Sequence, residues 1–256
     1  AMSGFAHLSG EAGGPPQHMN YPMGDVVAGL FGAFAIAAAL AERNARPRSE
    51  QRGLEIDLSA TEALLRLLDP LAAEFQFSGQ ARQRAGSCAT YTAPSNVYQT
   101  RDGSWITVVA TGDAMFARLC AAMGRGELAA DPRFADNAAR MRNLQALDGT
   151  VAQWCRGHGF EAVQQALSLH AIPFSKIYSA ADTLQDPHFA ARGSFIELQD
   201  PALGPIKAPA TVPRFSGRPP PQPCVGPETG QDNARIYQAL GLDEAQLEQL
   251  RQARVI

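Results

Sequence analysis

Residues 24–40 read GDVVAGLFGAFAIAAAL. The stretch has no proline, no charge after Asp25, and small residues on every face: Ala28, Gly29, Gly32, Ala33, Ala35 and Ala37 to Ala39. Asp25 suits an N-cap or first-turn position, and Arg43 and Arg46 stand where cations favour a helix C-terminus. A helix that is apolar all round is expected to be buried all round. At about 17 residues the run falls short of the roughly 20 that a bilayer demands. Small residues also favour close helix packing over lipid contact. The stretch therefore predicts the central core helix of a soluble domain, not a membrane span.

Upstream of it, EAGGPPQHMNYPMG (11–24) is dense in Gly and Pro, a loop leading into the helix. Glu11, His18 and Tyr21 are its polar groups; they either line a site or face solvent. Downstream, a charged, turn-rich link precedes LEIDLS. Here Leu54 to Ser59 alternates apolar and acidic residues about a β-branched centre and predicts a short strand. Ser59 then caps a second helix, with Glu62 three residues on as a capping box, running to about Leu68 before Pro70. Helix, strand and helix form a fragment of an α/β layer, because one strand makes no sheet and its partners must come from elsewhere.

Between Asp69 and Pro94 the periodicity fades, and GQARQRAGSCATYTAPSN reads as an extended linker. NVYQT and SWITVVA then flank Arg101-Asp102-Gly103 as a tight hairpin. AMFARLCAAMG is a short helix with Phe116, Leu119, Cys120 and Met123 on one face, ending at Gly124. Asn137 to Arg156 predicts one long helix, Phe160 to Leu169 another, and IPFSKIY a strand. The tail LQDPHFAARGSFIELQDPALGPIKAPATVPRFSGRPPPQPC is proline-studded and reads as mostly extended, wrapping a folded surface. LGLDEAQLEQLRQARVI closes the chain as an amphipathic helix, with Asp243 near its start and arginines at its end.

The fold class that follows is α/β. Residues 1–70 form part of a large α/β domain and 71–96 a linker. Residues 97–180 form a small α+β domain, and 181–256 an extended return with a helix packing on the large domain. The net charge of −3 gives no field for nucleic acid or an acidic membrane. Cys88, Cys120, Cys155 and Cys224 are scattered without a CxxC or a nearby histidine pair, which points to neither zinc nor disulfides. His7, His18, His158, His170 and His188 show no spacing suited to a hydrolase triad. With no signal peptide or targeting tail in the sequence, the expected compartment is the cytoplasm.

Six motifs occur in one order: GDVVAGLFGAFAIAAALAER, EIDLSATEAL, the YxTRDG hairpin, DPRFADNAARMRN, DPHFAARGSF and the closing LGLDEAQLEQLRQARVI. In that order they resemble class III (CaiB/BaiF-type) coenzyme A transferases, and the match spans essentially the whole chain. The resemblance implies a family III CoA-transferase fold with a Rossmann-like large domain whose N-terminal half is missing here. It implies acyl-CoA:carboxylic acid CoA transfer through an aspartyl-CoA intermediate. No cofactor is permanently bound; the coenzyme A thioester is a substrate. The partners implied are an acyl-CoA and a carboxylic acid, an interlocked homodimer, and a separate N-terminal half. An acyl-CoA racemase of the same family and a non-catalytic fragment or partner subunit are the alternatives.

In the family the catalytic aspartate precedes a segment like SGFAHLSG by a handful of residues, which places it just upstream of Ala1. The chain then corresponds to the last three-fifths of a transferase: a truncation, a gene fragment or one chain of a split enzyme. It is expected to be inactive alone. Some transferases carry a mobile glycine-rich loop before the hairpin; at that position only Gly86 is present. Asp113 falls where the racemase branch has an acidic residue, although capping of the AMFARLCAAMG helix explains it equally. Asp25 caps the core helix or contacts ligand. Glu11, His18, Tyr21, Asp25 and Gly86 are thus the candidate CoA- or substrate-binding residues, with Asp113 the catalytic candidate within the chain and no metal ligand.

Overall fold

The computed structural model describes residues 2–221 and 223–256. The chain divides into two compact units, Ala1–Ile177 and Tyr178–Ile256.

In the first unit a short helix α1 (Phe5–Leu8) precedes a glycine- and proline-rich loop and then α2 (Met23–Ala45). The apolar run is helical as its composition predicts, with Asp25 in the first turn and Arg43 in the last. Its N-cap is Pro22, so Asp25 is not the cap. At 23 residues and a mean hydropathy of 1.9 over its most apolar window, α2 is long and apolar enough to cross a membrane.

The expected burial of α2 does not hold, since no residue of it is buried. Leu30 is 67% exposed and Phe34 75%. The reason is the number of neighbours. A helix apolar on every face needs cover on every face, and the described residues line one flank only. Leu64 lies 3.5 Å from the Cβ position of Gly24, and Leu58 lies 3.2 Å from that of Gly32.

The strand expected at Leu54–Ser59 is also absent. These residues are extended but join no ladder, and Leu54 is 70% exposed. Alternation makes a segment fit to be a strand; only a partner makes it one. Ser59 does cap α3 (Ala60–Arg66), accepting from Glu62 N–H at 3.4 Å. The region read as linker begins with a further helix, α4 (Pro70–Ser78). Pro70 at its start and Gly79 beyond its end, at φ 68°, were legible signals of that helix.

The hairpin is as the sequence predicts. β1 (Ser95–Gln99) pairs antiparallel with β2 (Trp105–Val109). Thr100 N–H donates to Ser104 O and Gly103 N–H to Thr100 O, with Gly103 at φ 84°. The turn is thus a three-residue loop with glycine in the left-handed position. Asp102 does more than turn the chain. Its Oδ1 accepts from the Thr100 hydroxyl at 2.6 Å, and its Oδ2 accepts the Phe160 N–H at 2.8 Å, where a helix begins. The Asp102 carboxyl is held down at about 2, first by the Thr100 bond and then by the Phe160 amide.

α5 (Asp113–Ala122) buries Phe116, Leu119 and Cys120 and ends at Gly124, φ 67°, as expected. The long helix expected from Asn137 is broken into α6 (Asn137–Arg142) and α7 (Leu144–Gly157). Asn143 has non-helical angles, and its side-chain amide donates to Arg133 O and Ala139 O. α8 (Phe160–Leu169) follows, and β3 (Phe174–Lys176) completes a three-stranded sheet in the order β1-β2-β3. Leu147, Val151 and Cys155 on α7, and Val163 and Leu167 on α8, repeat every four residues and are fully buried. With Ile106 and Val108 of β2 they form the core of this half.

The second unit holds α9 (Ala180–Gln185), α10 (Pro187–Ala191) and an antiparallel hairpin of β4 (Phe195–Asp200) and β5 (Gly204–Pro209). The tail is therefore less extended than its prolines suggest. Alternate residues of both strands are partly buried, and Asp200 Oδ1 accepts the Ala202 and Leu203 amides to make the turn. α11 (Asn233–Ala239) comes next, and the closing segment forms α12 (Glu244–Gln252), opened by a capping box of Asp243 and Gln246.

Candidate functional site

The loop between α1 and α2 builds a cavity of about 210 Å3. Its walls include Phe5, Ser9, Gln17, His18, Tyr21, the first turn of α2 and Leu64 of α3. The loop is shaped by glycine and by backbone bonds. Gly10 sits at φ 118°, Gly14 N–H donates to Glu11 O, and Gln17 N–H donates to Ser9 O at 3.0 Å, closing it on itself. His18 Nδ1 lies 2.8 Å from Met19 O. A carbonyl only accepts, so Nδ1 carries the hydrogen and Nε2 is the nitrogen left for another partner.

Asp25 is the one acidic residue of the cavity wall. It stands in the first turn of α2, where the leading N–H groups have no intrahelical acceptor. Met23 N–H donates to Tyr21 O and Val26 N–H to Pro22 O. The N–H groups of Gly24 and Asp25 donate to no acceptor among the described residues. Two free donors, the positive end of a long helix dipole and a carboxylate therefore coincide.

Three of the candidates read from the sequence, His18, Tyr21 and Asp25, thus share one cavity. Glu11 and Gly86 lie outside its wall but against each other. Gly86 N–H donates to Gly10 O at 2.9 Å, and a Cβ on Gly86 would come within 2.8 Å of Glu11 Oε2. At φ 62° the position suits glycine on both counts.

Asp113 stands apart from this cavity and is not the cap of α5. Gly112 is the N-cap, and Asp113 is the first helical residue. Its carboxylate accepts from Arg140 Nη2 at 2.8 Å. Arg140 is fully buried and also donates to Ala93 O, Phe134 O and Thr111 O, with its guanidinium 4.9 Å from the Phe116 ring centre. Asp113 thus reaches from the surface to the guanidinium of a fully buried arginine, a contact 27 residues distant that no local pattern announces.

A second polar cluster joins Cys88, Asn96, Tyr98 and Asp148. Asp148 accepts from the Tyr98 hydroxyl at 2.6 Å and from Asn96 Nδ2 at 2.9 Å. Burial, then the Asp148 charge, pushes the Cys88 thiol up to about 11 and raises the Tyr98 phenol far above its ordinary range. Neither group is primed as a nucleophile. Among the described residues no three His, Cys, Asp or Glu side chains are grouped to hold a metal ion. The second unit has a larger cavity, about 750 Å3, walled by prolines, Ile196, Leu198, Phe215 and three arginines. None of the candidate residues reaches it, and its single carboxylate is Glu197.

The sequence profile described as CoA-transferase family III matches residues 1–233. The chain is 39% identical over 257 residues to a succinyl-CoA–D-citramalate CoA-transferase of Chloroflexus aurantiacus, covering 100% of this chain and 63% of that one. It is 30% identical over 258 residues to the alpha subunit of a succinyl-CoA–L-malate CoA-transferase of the same species, covering 100% and 59%. An acetyl-CoA:oxalate CoA-transferase of Acetobacter aceti is 28% identical over 251 residues, covering 96% and 61%. Among solved structures, a CaiB/BaiF family protein from Brucella suis superimposes with a TM-score of 0.75 at 28% identity, covering 93% and 61%. The chain thus spans about three-fifths of the length of the relatives it matches.

Proposed function

Because this chain belongs to CoA-transferase family III, we propose that it serves an acyl-CoA:carboxylic acid CoA-transferase whose nucleophilic aspartate lies in the part of the protein that precedes Ala1, with Asp25 as a substrate contact in the cavity wall. The observation that carries the reading is the cavity at the start of α2, where His18, Tyr21 and Asp25 meet beside two unengaged backbone donors. The resemblance implies a nucleophile that precedes SGFAHLSG; Asp25 follows that segment and is exposed, so it is read as a substrate contact. The names of the relatives, which pair succinyl-CoA with citramalate or malate, support a succinyl donor and a short dicarboxylic acceptor. They also favour transfer over racemisation.

The chemistry divides into two exchanges. An oxygen of the nucleophilic aspartate attacks the thioester carbonyl, the C–S bond breaks, and CoA leaves as the thiolate from a mixed anhydride. The thiolate attacks the aspartyl carbonyl of that anhydride, releasing succinate and leaving CoA on the aspartate as a thioester. The acceptor carboxylate then attacks this thioester, and the expelled thiolate takes the acceptor's acyl group, restoring the aspartate carboxylate. A carboxylate is a weak nucleophile in water, so each step depends on desolvation and on donors aimed at the developing oxyanion. The remainder of the protein supplies the CoA-holding half and covers the apolar faces of α2, within a cytoplasmic interlocked homodimer.

Mass spectrometry of the complete enzyme after incubation with succinyl-CoA tests the assignment. A CoA adduct on a peptide that precedes Ala1 is expected, and Asp25→Asn should keep the adduct while slowing turnover. A CoA adduct on the peptide that contains Asp25 refutes the placement of the nucleophile, and normal turnover by folded Asp25→Asn refutes its contact with substrate.

A further inference from the structure

Arg84, in the segment after α4, has no role in the chemistry above, yet its contacts converge on the cavity loop. Its Nε donates to His7 O at 3.1 Å and its Nη1 to Gly14 O at 2.9 Å, spanning 77 and 70 residues of sequence. Nη2 lies 3.5 Å from His7 Nδ1. The two carbonyls stand on opposite limbs of the loop that carries Ser9 and leads to Gln17 and His18 in the cavity wall.

Neighbouring contacts close the same joint. Gly86 N–H holds Gly10 O, and Arg84 Cδ lies 3.4 Å from the Cβ position of Gly10. A side chain on Gly10 would also come within 2.7 Å of Pro15 O, so the loop is already drawn tight there. Among the described residues no carboxylate forms an ion pair with Arg84; its donors are spent on backbone dipoles. Beyond Gly86 the segment is anchored elsewhere. The Ser87 hydroxyl donates to Asn96 Oδ1 at 2.8 Å, Cys88 Sγ lies 3.5 Å from Asp148 Oδ2, and Ala89 N–H donates to Ser95 O.

We infer that Arg84 is the positioning residue of the cavity. Its planar fork ties both limbs of the His7–Gly14 loop to a strap anchored on β1 and α7, and so fixes Ser9, Gln17 and His18 relative to Asp25. The inference rests on the reading of this cavity as the reaction site. A guanidinium suits the role because two fixed donors span two carbonyls at once, whereas a lysine ammonium is a single mobile point. A reactant misplaced by about 1 Å loses on the order of 100-fold in rate, so a joint of this kind can control turnover without touching substrate.

The test compares Arg84→Lys and Arg84→Met in the complete enzyme by hydrogen exchange and by kinetics with succinyl-CoA and L-malate. Exchange of the amides of residues 9–18 should quicken by about tenfold or more while the hairpin and α7 keep their protection. The kcat/KM for L-malate should fall on the order of 10- to 100-fold, with the KM for succinyl-CoA unchanged. Unaltered exchange in residues 9–18 overturns the inference, as does a loss of protection spread over the whole chain, which marks Arg84 as merely structural. Faster loop exchange with unchanged kinetics upholds the tether and removes the cavity from the reaction instead.

Discussion

Replacing Arg140 with methionine keeps an unbranched side chain in the core and removes the guanidinium. Arg140 has no exposed surface, and its donors serve Ala93 O at 2.8 Å, Phe134 O at 3.2 Å and Thr111 O at 3.0 Å. Ala93 and Phe134 are themselves buried, so water does not replace the lost donors there. Each buried acceptor left unpaired costs about 1–3 kcal/mol, or about 2–6 for the pair. Release from burying a charge offsets part of that, which leaves a destabilisation of about 1–4 kcal/mol. Asp113 behaves differently. Its side chain is 70% exposed and regains water when the ion pair is cut, so Asp113→Ala should cost about 0–1 kcal/mol. Asp113→Asn should leave turnover of the complete enzyme intact. Urea unfolding followed by the fluorescence of Trp105 and Trp154 measures both variants. An Arg140→Met loss below about 1 kcal/mol, or an Asp113→Ala loss equal to it, would falsify the picture of a buried carbonyl clamp with an incidental surface partner.

Asp102 predicts an acid-side effect. Because its carboxyl is held down at about 2, its contribution is complete above the ordinary value of 3.8 and fades as pH falls through 2. Asp102→Asn should flatten that part of the stability–pH curve, and an unchanged curve contradicts the helix-capping role of the hairpin turn. Burial first of all pushes the Cys88 and Cys120 thiols up to about 11 and Cys155 to about 12, whereas Cys224 is exposed. Iodoacetamide at pH 8 should therefore modify Cys224 first in the folded chain; equal labelling of Cys88 speaks against its bond to Asp148. The 256-residue chain alone should show no CoA transfer and should associate through the uncovered faces of α2. Light scattering that returns a stable monomer of 27.3 kDa refutes the association, and measurable transfer refutes the need for the rest of the protein.

Local chemistry alone determined much of the chain. The helicity of α2 follows from an apolar run without a breaker. α5, α8 and α12 begin and end where spacing, Gly124 and the Asp243 cap put them. The hairpin at Asp102-Gly103 is legible because a turn is settled within five residues. Of the site, His18, Tyr21 and Asp25 were readable as polar groups in a Gly/Pro loop running into a helix. Their meeting in one cavity was not.

What the tertiary structure decided depends on partners far away in sequence. Leu54 to Leu58 alternates like a strand yet has no ladder, because alternation specifies a face and says nothing of a neighbour. The α2 run reads as buried, but burial is a property of what surrounds a helix, and these residues supply cover on one flank. Arg84, Arg140 and Asp102 bind carbonyls or amides between 6 and 77 residues away. Such contacts leave no periodic trace, since backbone groups are the same at every position and only folding determines which of them a side chain reaches.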